Sequence, residues 1–269
     1  MLAALLTSCS GDNKTIKIKG SDTEVNLAVL LAESFHKVNA DVFVSISGGG
    51  SGLGIASLLN GTADIANSSR SIKNEEINLF KDKGEQVDSF VFAQDAIAFV
   101  VAKDLPIDSI SADDLAKILN GKSKNWSALT GEDLPVNIYG RQSNSGTHDF
   151  VQHKLGIEFS PYAKQMNGNA QILEAIKTDH SGIGYVGAGY VSQGQSKGIK
   201  VLLISSGKNE KAISPLDGAM ISEGKYFFQR PLFQYFKSTS SSKIKPFLDF
   251  EKSKEGQAII QSSGYYPVK

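Results

Sequence analysis

Three times along this chain a short run with strand patterning enters a turn of glycine, serine and threonine and leaves it as a helical pattern. The turns are Gly20-Ser21-Asp22-Thr23, Gly48 to Gly54, and Gly140 to Thr147. No other feature restricts the fold as much. A strand that runs straight into a helix reaches its sheet neighbour by a crossover, and crossovers build parallel sheets covered by helices. The flanking patterns agree. Thr15 to Lys19 alternates as a strand does, and Val25 to Val38 carries Ala28, Leu31, Ala32 and Phe35 at helical spacing. Val42 to Ile46, Ala63 to Ala66, Ile97 to Val101, Val136 to Tyr139, Ile183 to Val186 and Val201 to Ile204 read as further strands. Ser111-Ala112-Asp113-Asp114 starts a helix with a capping pattern that Gly121 ends, and Gly61 closes the helix through Ile55, Leu58 and Leu59. The C-terminal region is helical through Phe247, Leu248 and Phe250 and again through Ala258, Ile259 and Ile260, after a serine-rich loop at Ser238 to Ser242. The fold class is α/β with mostly parallel sheet.

With 269 residues the chain exceeds what one hydrophobic core comfortably holds, so two lobes are expected. Lys plus Arg equals Asp plus Glu at 28 each, a formal charge of zero, which removes the bulk electrostatic attraction that nucleic acid or an anionic membrane requires. An anion must therefore be held by placed donors. The single cysteine, Cys9, excludes an internal disulfide and any multi-cysteine metal framework. It follows an apolar run ending Leu6-Thr7-Ser8, which resembles a bacterial lipobox. Residues 1–9 are thus expected to be a truncated lipoprotein signal with Cys9 lipidated, and residues 10–14 a tether.

A helix N-terminus offers unpaired backbone N–H groups and about half a positive charge. Each glycine-serine-threonine turn alone is most simply a capped helix start. Three of them converging on one cleft would surround a small anion with donors, with hydroxyls at Thr23, Ser51, Ser145 and Thr147 and the guanidinium of Arg141 in the third turn. Enzymatic signatures fail. The Gly48 to Gly54 run lacks the Gly-Lys-Ser/Thr ending of a nucleotide loop, and Gly182-Ile183-Gly184-Tyr185-Val186-Gly187 fits the dinucleotide fingerprint in form but reads as a strand. Ser145, His148 and Asp149 crowd within one helical turn, unlike a hydrolytic triad, and the four histidines show no metal-ligand spacing. No cofactor and no metal are expected.

The runs Lys19 to Leu27, Ile46 to Ile55, Ala63 to Arg70 and Gly140 to Thr147, with the ending Gly256 to Pro267, together resemble the phosphate-binding proteins of bacterial ABC phosphate importers. The likeness runs in the same order from about Thr15 to the C-terminus. It implies a two-lobe periplasmic binding protein fold of type II with a two-strand hinge, residues 15–100 plus 206–269 forming lobe 1 and residues 101–205 lobe 2. By position it implies phosphate contacts from Thr23, Glu24, Ser51, Gly52, Ser69, Arg141, Ser145, Gly146 and Thr147, with Ser21, Asp22 and Asn144 as further candidates. Two positions depart from the family pattern: Ser69 stands where an aspartate accepts the phosphate proton, and Ser143 where some members place an acid beside the arginine. Asp22 is the nearest acid in sequence to replace that acceptor, although capping its own helix is the simpler reading of that residue.

The function implied is an extracytoplasmic, lipid-anchored solute-binding protein, not an enzyme, which captures inorganic phosphate and delivers it to a membrane-embedded ABC permease as a monomer. It would touch the membrane through its lipid only, in the periplasm or at the cell surface. Another tetrahedral oxyanion such as sulfate is the alternative ligand. An extracytoplasmic phosphoesterase with Ser145 or Ser51 as nucleophile, and a sensor acting through a partner, are the alternatives from other classes.

Overall fold

The computed structural model describes residues 15–192 and 197–268. Cys9, the expected signal and the tether lie outside the described residues. The chain opens with β1 (Thr15–Gly20), α1 (Val25–Val38), β2 (Phe43–Ser47), α2 (Ser51–Leu59), β3 (Ile65–Ser68) and α3 (Asn74–Asp82). A long β4 (Val87–Ala102) leads to β5 (Ser109–Ser111), α4 (Ala112–Leu119), α5 (Ser127–Thr130), β6 (Asn137–Arg141), α6 (Gly146–Leu155), β7 (Lys164–Met166) and α7 (Asn169–Thr178). Then come β8 (Gly182–Gly187), α8 (Gly189–Ser192), β9 (Ile199–Val201), β10 (Leu203–Ser205), α9 (Gly218–Ser222), β11 (Gln229–Lys237), α10 (Ser241–Lys252) and α11 (Lys254–Ser262).

The strands run in the order β2-β1-β3-β11-β4-β8-β6-β7, with β9 also on β4 and β5 paired with β10 apart. At each end the sheet is parallel, as the strand-turn-helix pattern requires: β2-β1-β3 on one side and β8-β6-β7 on the other. The middle is not. β11 lies antiparallel to both β3 and β4, and β4 antiparallel to β8. The reason is that β4 is not the five-residue strand expected over Ile97 to Val101 but sixteen residues long. Its first part pairs with β11 and its last part with β8, so it carries the chain from one half of the molecule to the other.

Beside a small cluster of Ile55, Leu58, Ala66, Phe80 and Tyr235, the buried apolar side chains among the described residues form two large cores. One gathers Ile16, Leu31, Phe35, Phe92, Leu232 and Phe247; the other gathers Phe99, Leu115, Trp126, Ile172, Tyr185 and Phe228. The chain passes between them inside β4 and again between Phe228 and Leu232 at the start of β11. We refer to them as the first and second lobes. The glycines of the Gly182 to Gly187 fingerprint belong to packing: all of β8 is buried, and a Cβ on Gly182 would lie 2.9 Å from Ile176 of α7. Ser111 caps α4 by accepting from the Asp114 N–H at 3.1 Å, as its pattern indicates. The serine run at 238–242 is not a loop. It forms a 3-10 turn, Ser238–Ser240, and the start of α10.

Candidate functional site

The three turns do converge, at the seam between the lobes. In the first, β1 ends at Gly20, the Ser21 N–H donates to Asn67 O of β3 at 2.9 Å, and Glu24 forms the N-cap position of α1. In the second, Gly49 and Gly50 adopt φ of +121° and +95°, a left-handed bend that delivers Ser51 as the first residue of α2. In the third, Ser145 caps α6, accepting from the Thr147 N–H at 3.2 Å and the His148 N–H at 3.5 Å. Thr23, Ser51, Ser69, Ser145 and Thr147 are all buried.

Their hydroxyls meet. Thr23 Oγ1 of the first lobe lies 2.9 Å from Thr147 Oγ1 of the second. The Ser21 hydroxyl donates to Ser69 Oγ at 3.0 Å, Ser51 Oγ is 3.5 Å from Ser69 Oγ, and the Ser69 N–H donates to Ser51 Oγ at 3.1 Å. Gly146 opens α6 directly against this group, since a Cβ there would lie 2.7 Å from Ser69 Oγ and closer still to Ser51 Oγ. Only glycine allows the second-lobe helix end to approach the first-lobe serines. Gly52 and Asn144 meet each other across the seam: the Gly52 N–H donates to Asn144 O, and Asn144 Nδ2 to Gly49 O, each at 3.0 Å.

Arg141, at the end of β6, is 2 % exposed. Its Nη2 donates to Asp22 Oδ2 at 2.5 Å and to Asn167 O at 3.0 Å, while Nε and Nη1 are buried with no hydrogen-bond partner. Burial pulls this guanidinium below its ordinary pKa, and the Asp22 charge pulls it back. Asp22 does not cap α1. Its Oδ1 accepts from the Gly49 N–H at 3.0 Å, its carbonyl accepts from the Tyr190 hydroxyl at 2.6 Å, and Oδ2 crosses the cleft to Arg141. The acid that would hold the arginine from position 143 is thus supplied by the opposite lobe.

Two charged residues escaped the sequence reading. Arg230 of β11 and Asp95 of β4 are buried, paired at 2.9 Å, and register-matched across the two crossing strands. Arg230 Nη2 also reaches Thr147 Oγ1 at 3.0 Å and Thr23 Oγ1 at 3.3 Å, and Nη1 donates to Ser69 O at 3.1 Å. A signal was present: each is the only charge in a mainly apolar run, Asp95 between Phe92 and Val101 and Arg230 between Tyr226 and Phe236. A cavity of about 660 Å³, lined among others by Ser69, Arg70, Lys73, Asp149, Phe150 and Arg230, opens beside this pair. At its rim Lys73 of the first lobe pairs with Asp149 of the second at 2.7 Å.

Behind the first turn lie buried acids. Glu24 is fully buried, and burial pushes its carboxyl well above the ordinary carboxylate range, with Arg230 and the Ser21 hydroxyl opposing. Glu251 of α10, which accepts from Gln234 Nε2 at 3.0 Å, is pushed up by burial to about 8. Glu251 therefore keeps its proton at neutral pH, and Glu24 is shifted in the same direction. The hydroxyls, the α6 N-terminus and the two arginines are donors of the kind a tetrahedral oxyanion accepts from.

Comparison with known proteins agrees. Residues 8–255 match the family model of a PBP superfamily domain. The phosphate-binding protein PstS of Borreliella burgdorferi is 30% identical over 278 residues, covering 99% of this chain and 95% of that one. PstS of Staphylococcus saprophyticus is 30% identical, covering 92% and 80%. A candidate phosphate ABC transporter substrate-binding protein from Clostridium perfringens, solved with bound phosphate, superposes with a TM-score of 0.85 at 25% identity, covering 95% of this chain and all of that one.

Proposed function

The chain belongs to the phosphate-binding proteins of the PBP superfamily, and on that footing we propose that it captures inorganic phosphate between its lobes and passes it to an ABC permease. The observation that carries the assignment of the site is the unspent edge of Arg141. Its Nε and Nη1 hydrogens are buried without partners among the described residues, and its Nη2 reaches the seam through Asp22, whose other carboxyl oxygen accepts from the Gly49 N–H of the second turn. Buried donors of this kind are costly unless something accepts from them. A tetrahedral oxyanion at the seam would accept from Nε and Nη1 of Arg141 and from the Ser145, Gly146 and Thr147 helix start, with Ser21, Glu24 and Gly52 lining the first lobe, where the Glu24 N–H donates to Ser21 O at 3.2 Å. Because these donors come from both lobes, ligand stabilises the closed arrangement over the open one.

Several finer points belong to the same proposal. The protein works outside the cytoplasm, anchored by a lipid on Cys9 and acting as a monomer. It acts by binding, and among the described residues the Ser51 and Ser145 hydroxyls hydrogen-bond to Ser69 and to the Thr147 and His148 amides. Asp22, fixed on Arg141, takes the place of the acceptor that Ser69 lacks. Calorimetry with phosphate and sulfate in competition tests the ligand and the acceptor together. Phosphate is preferred, and Asp22→Asn lowers that preference more than Ser69→Ala does; equal affinity for the two anions overturns the phosphate assignment. Intact mass of the exported protein, with or without a lipid on Cys9, tests the anchor.

A further inference from the structure

Given anion capture at this seam, we propose that Arg230, held by Asp95, is a positioning residue that orients the binding hydroxyls of both lobes and ties capture to closure. A guanidinium can only donate. Nη2 carries two hydrogens: one is held by Asp95 Oδ2 at 2.9 Å, and the other is shared by Thr147 Oγ1 at 3.0 Å and Thr23 Oγ1 at 3.3 Å, so each hydroxyl turns a lone pair to Arg230 and its hydrogen elsewhere. The two oxygens are 2.9 Å apart, so one hydrogen lies between them. The other is left to point away from the guanidinium, into the pocket. Without Arg230 either hydroxyl could rotate freely and present a lone pair to the anion.

The placement makes this a device of both lobes. Arg230 and Asp95 face each other on the two strands through which the chain crosses between cores, so they sit on the hinge itself. Thr23 and Ser69, the first-lobe partners, lie on the β1 and β3 side of that hinge, and Thr147 starts α6 in the second lobe. Rotation of the second lobe carries Thr147 off Arg230 while the first-lobe contacts stay. Closure therefore completes the hydrogen-bond set of a charge that is already buried, and the completed set is the one that presents donors to the ligand. The Phe150 ring, 5.4 Å from the guanidinium carbon, covers it from the second lobe.

The test replaces the pair as a unit, because removing Arg230 alone strands a buried Asp95. Asp95→Leu with Arg230→Met exchanges both charges for apolar groups of similar size, and a thermal melt reports whether the fold persists. Phosphate affinity is measured by calorimetry in four proteins: the parent, Thr147→Val, the pair replacement, and all three changes together. The pair replacement is expected to weaken binding about 10-fold or more, the worth of a hydrogen bond to a charged group. Thr147→Val is expected to matter in the parent and hardly at all once the pair is gone. A merely structural pair would leave the two effects independent, so additive losses overturn the proposal, as does parental affinity in the pair replacement. If the pair replacement does not fold, Arg230→Lys decides: it keeps the charge on Asp95 but cannot span both hydroxyls, and parental affinity there overturns the proposal. Failure of the parent to bind phosphate while binding sulfate refutes the phosphate assignment alone. The same cycle run with sulfate then still decides on Arg230. A parent that binds neither anion refutes both.

Discussion

Replacing Arg141 should weaken phosphate binding more than any other single substitution in the pocket, and the geometry sets the scale. Of its five guanidinium hydrogens, the two on Nη2 are committed to Asp22 at 2.5 Å and Asn167 O at 3.0 Å. The Nε hydrogen and the Nη1 hydrogens have no partner. An oxyanion seated on that edge gains two charge-assisted hydrogen bonds, at about 1.5–3 kcal/mol each. With the side chain only 2 % exposed, these donors have left water before the ligand arrives, so little desolvation remains to offset the gain. Arg141→Ala also leaves Asp22 uncompensated at the pocket, where its charge opposes an incoming anion. Both effects have the same sign, and together they give a loss of about 3–6 kcal/mol, or about 10²–10⁴-fold in Kd. Arg141→Lys should resemble the alanine variant more than the parent, because its single ammonium is taken by Asp22 and offers no planar edge. Adding Asp22→Asn to Arg141→Ala should recover part of the loss by removing the stranded charge. Calorimetric titration of the four proteins at one pH and ionic strength reads all three expectations. Affinity of Arg141→Lys within about threefold of the parent would refute the role given to the Nε–Nη1 edge.

Gly146→Ala inserts a Cβ 2.7 Å from Ser69 Oγ across the seam, so closure should cost about 1–3 kcal/mol more and phosphate should bind about 5–150-fold more weakly; unchanged affinity means the lobes do not close on this contact. Glu251, raised to about 8 in the folded protein against an ordinary value near 4.5, keeps its proton on folding. The stability it contributes is complete below the unfolded pKa and is lost as pH rises toward about 8, at about 1.4 kcal/mol per pH unit. Denaturant titrations between pH 5 and 8, conditions spanning that window, should show stability falling with pH in the parent and a shallower fall in Glu251→Gln, which should be the more stable protein at the alkaline end; parallel curves refute this. Glu24, shifted in the same direction by burial, should leave a residual slope. Lys73→Ala breaks the lobe-to-lobe pair with Asp149, but Lys73 is 48% exposed, so the change in affinity should stay under about 1 kcal/mol and vanish in high salt. A larger, salt-independent loss would show that the rim pair acts as a latch.

Much of the candidate site was legible in the sequence, because its turns are built from local chemistry. Ser145 caps the helix it precedes, Gly49 and Gly50 bend where their φ values demand glycine, and Ser51 follows at once. Such turns are decided within a few residues, and the pattern of their side chains is written contiguously. Strand and helix periods located most of the frame for the same reason. The long β4 was read only in its fully apolar part, Ile97 to Val101, since its first half is partly exposed and lacks a clean period. β11 was missed although it is the strand through which the chain returns to the first lobe.

What the sequence determined by itself was therefore the set of donors and the elements that carry them: three strand-turn-helix units, each with backbone N–H groups and hydroxyls at its helix start. Tertiary structure alone decided how their charges are matched. Arg141 takes its acid from Asp22, 119 positions away on the other lobe, and Arg230 takes Asp95, 135 positions away on the neighbouring crossing strand. Neither pairing is written locally: a lone charge in an apolar run marks Asp95 and Arg230 as unusual but does not name the partner of either. The pairing arises on burial, where an unpaired charge costs several kcal/mol and must find its counterion through the fold. Thr23 and Thr147 show it most plainly: each looks like an ordinary helix start, and only the packing of two lobes around one hinge brings their hydroxyls to 2.9 Å over a shared guanidinium.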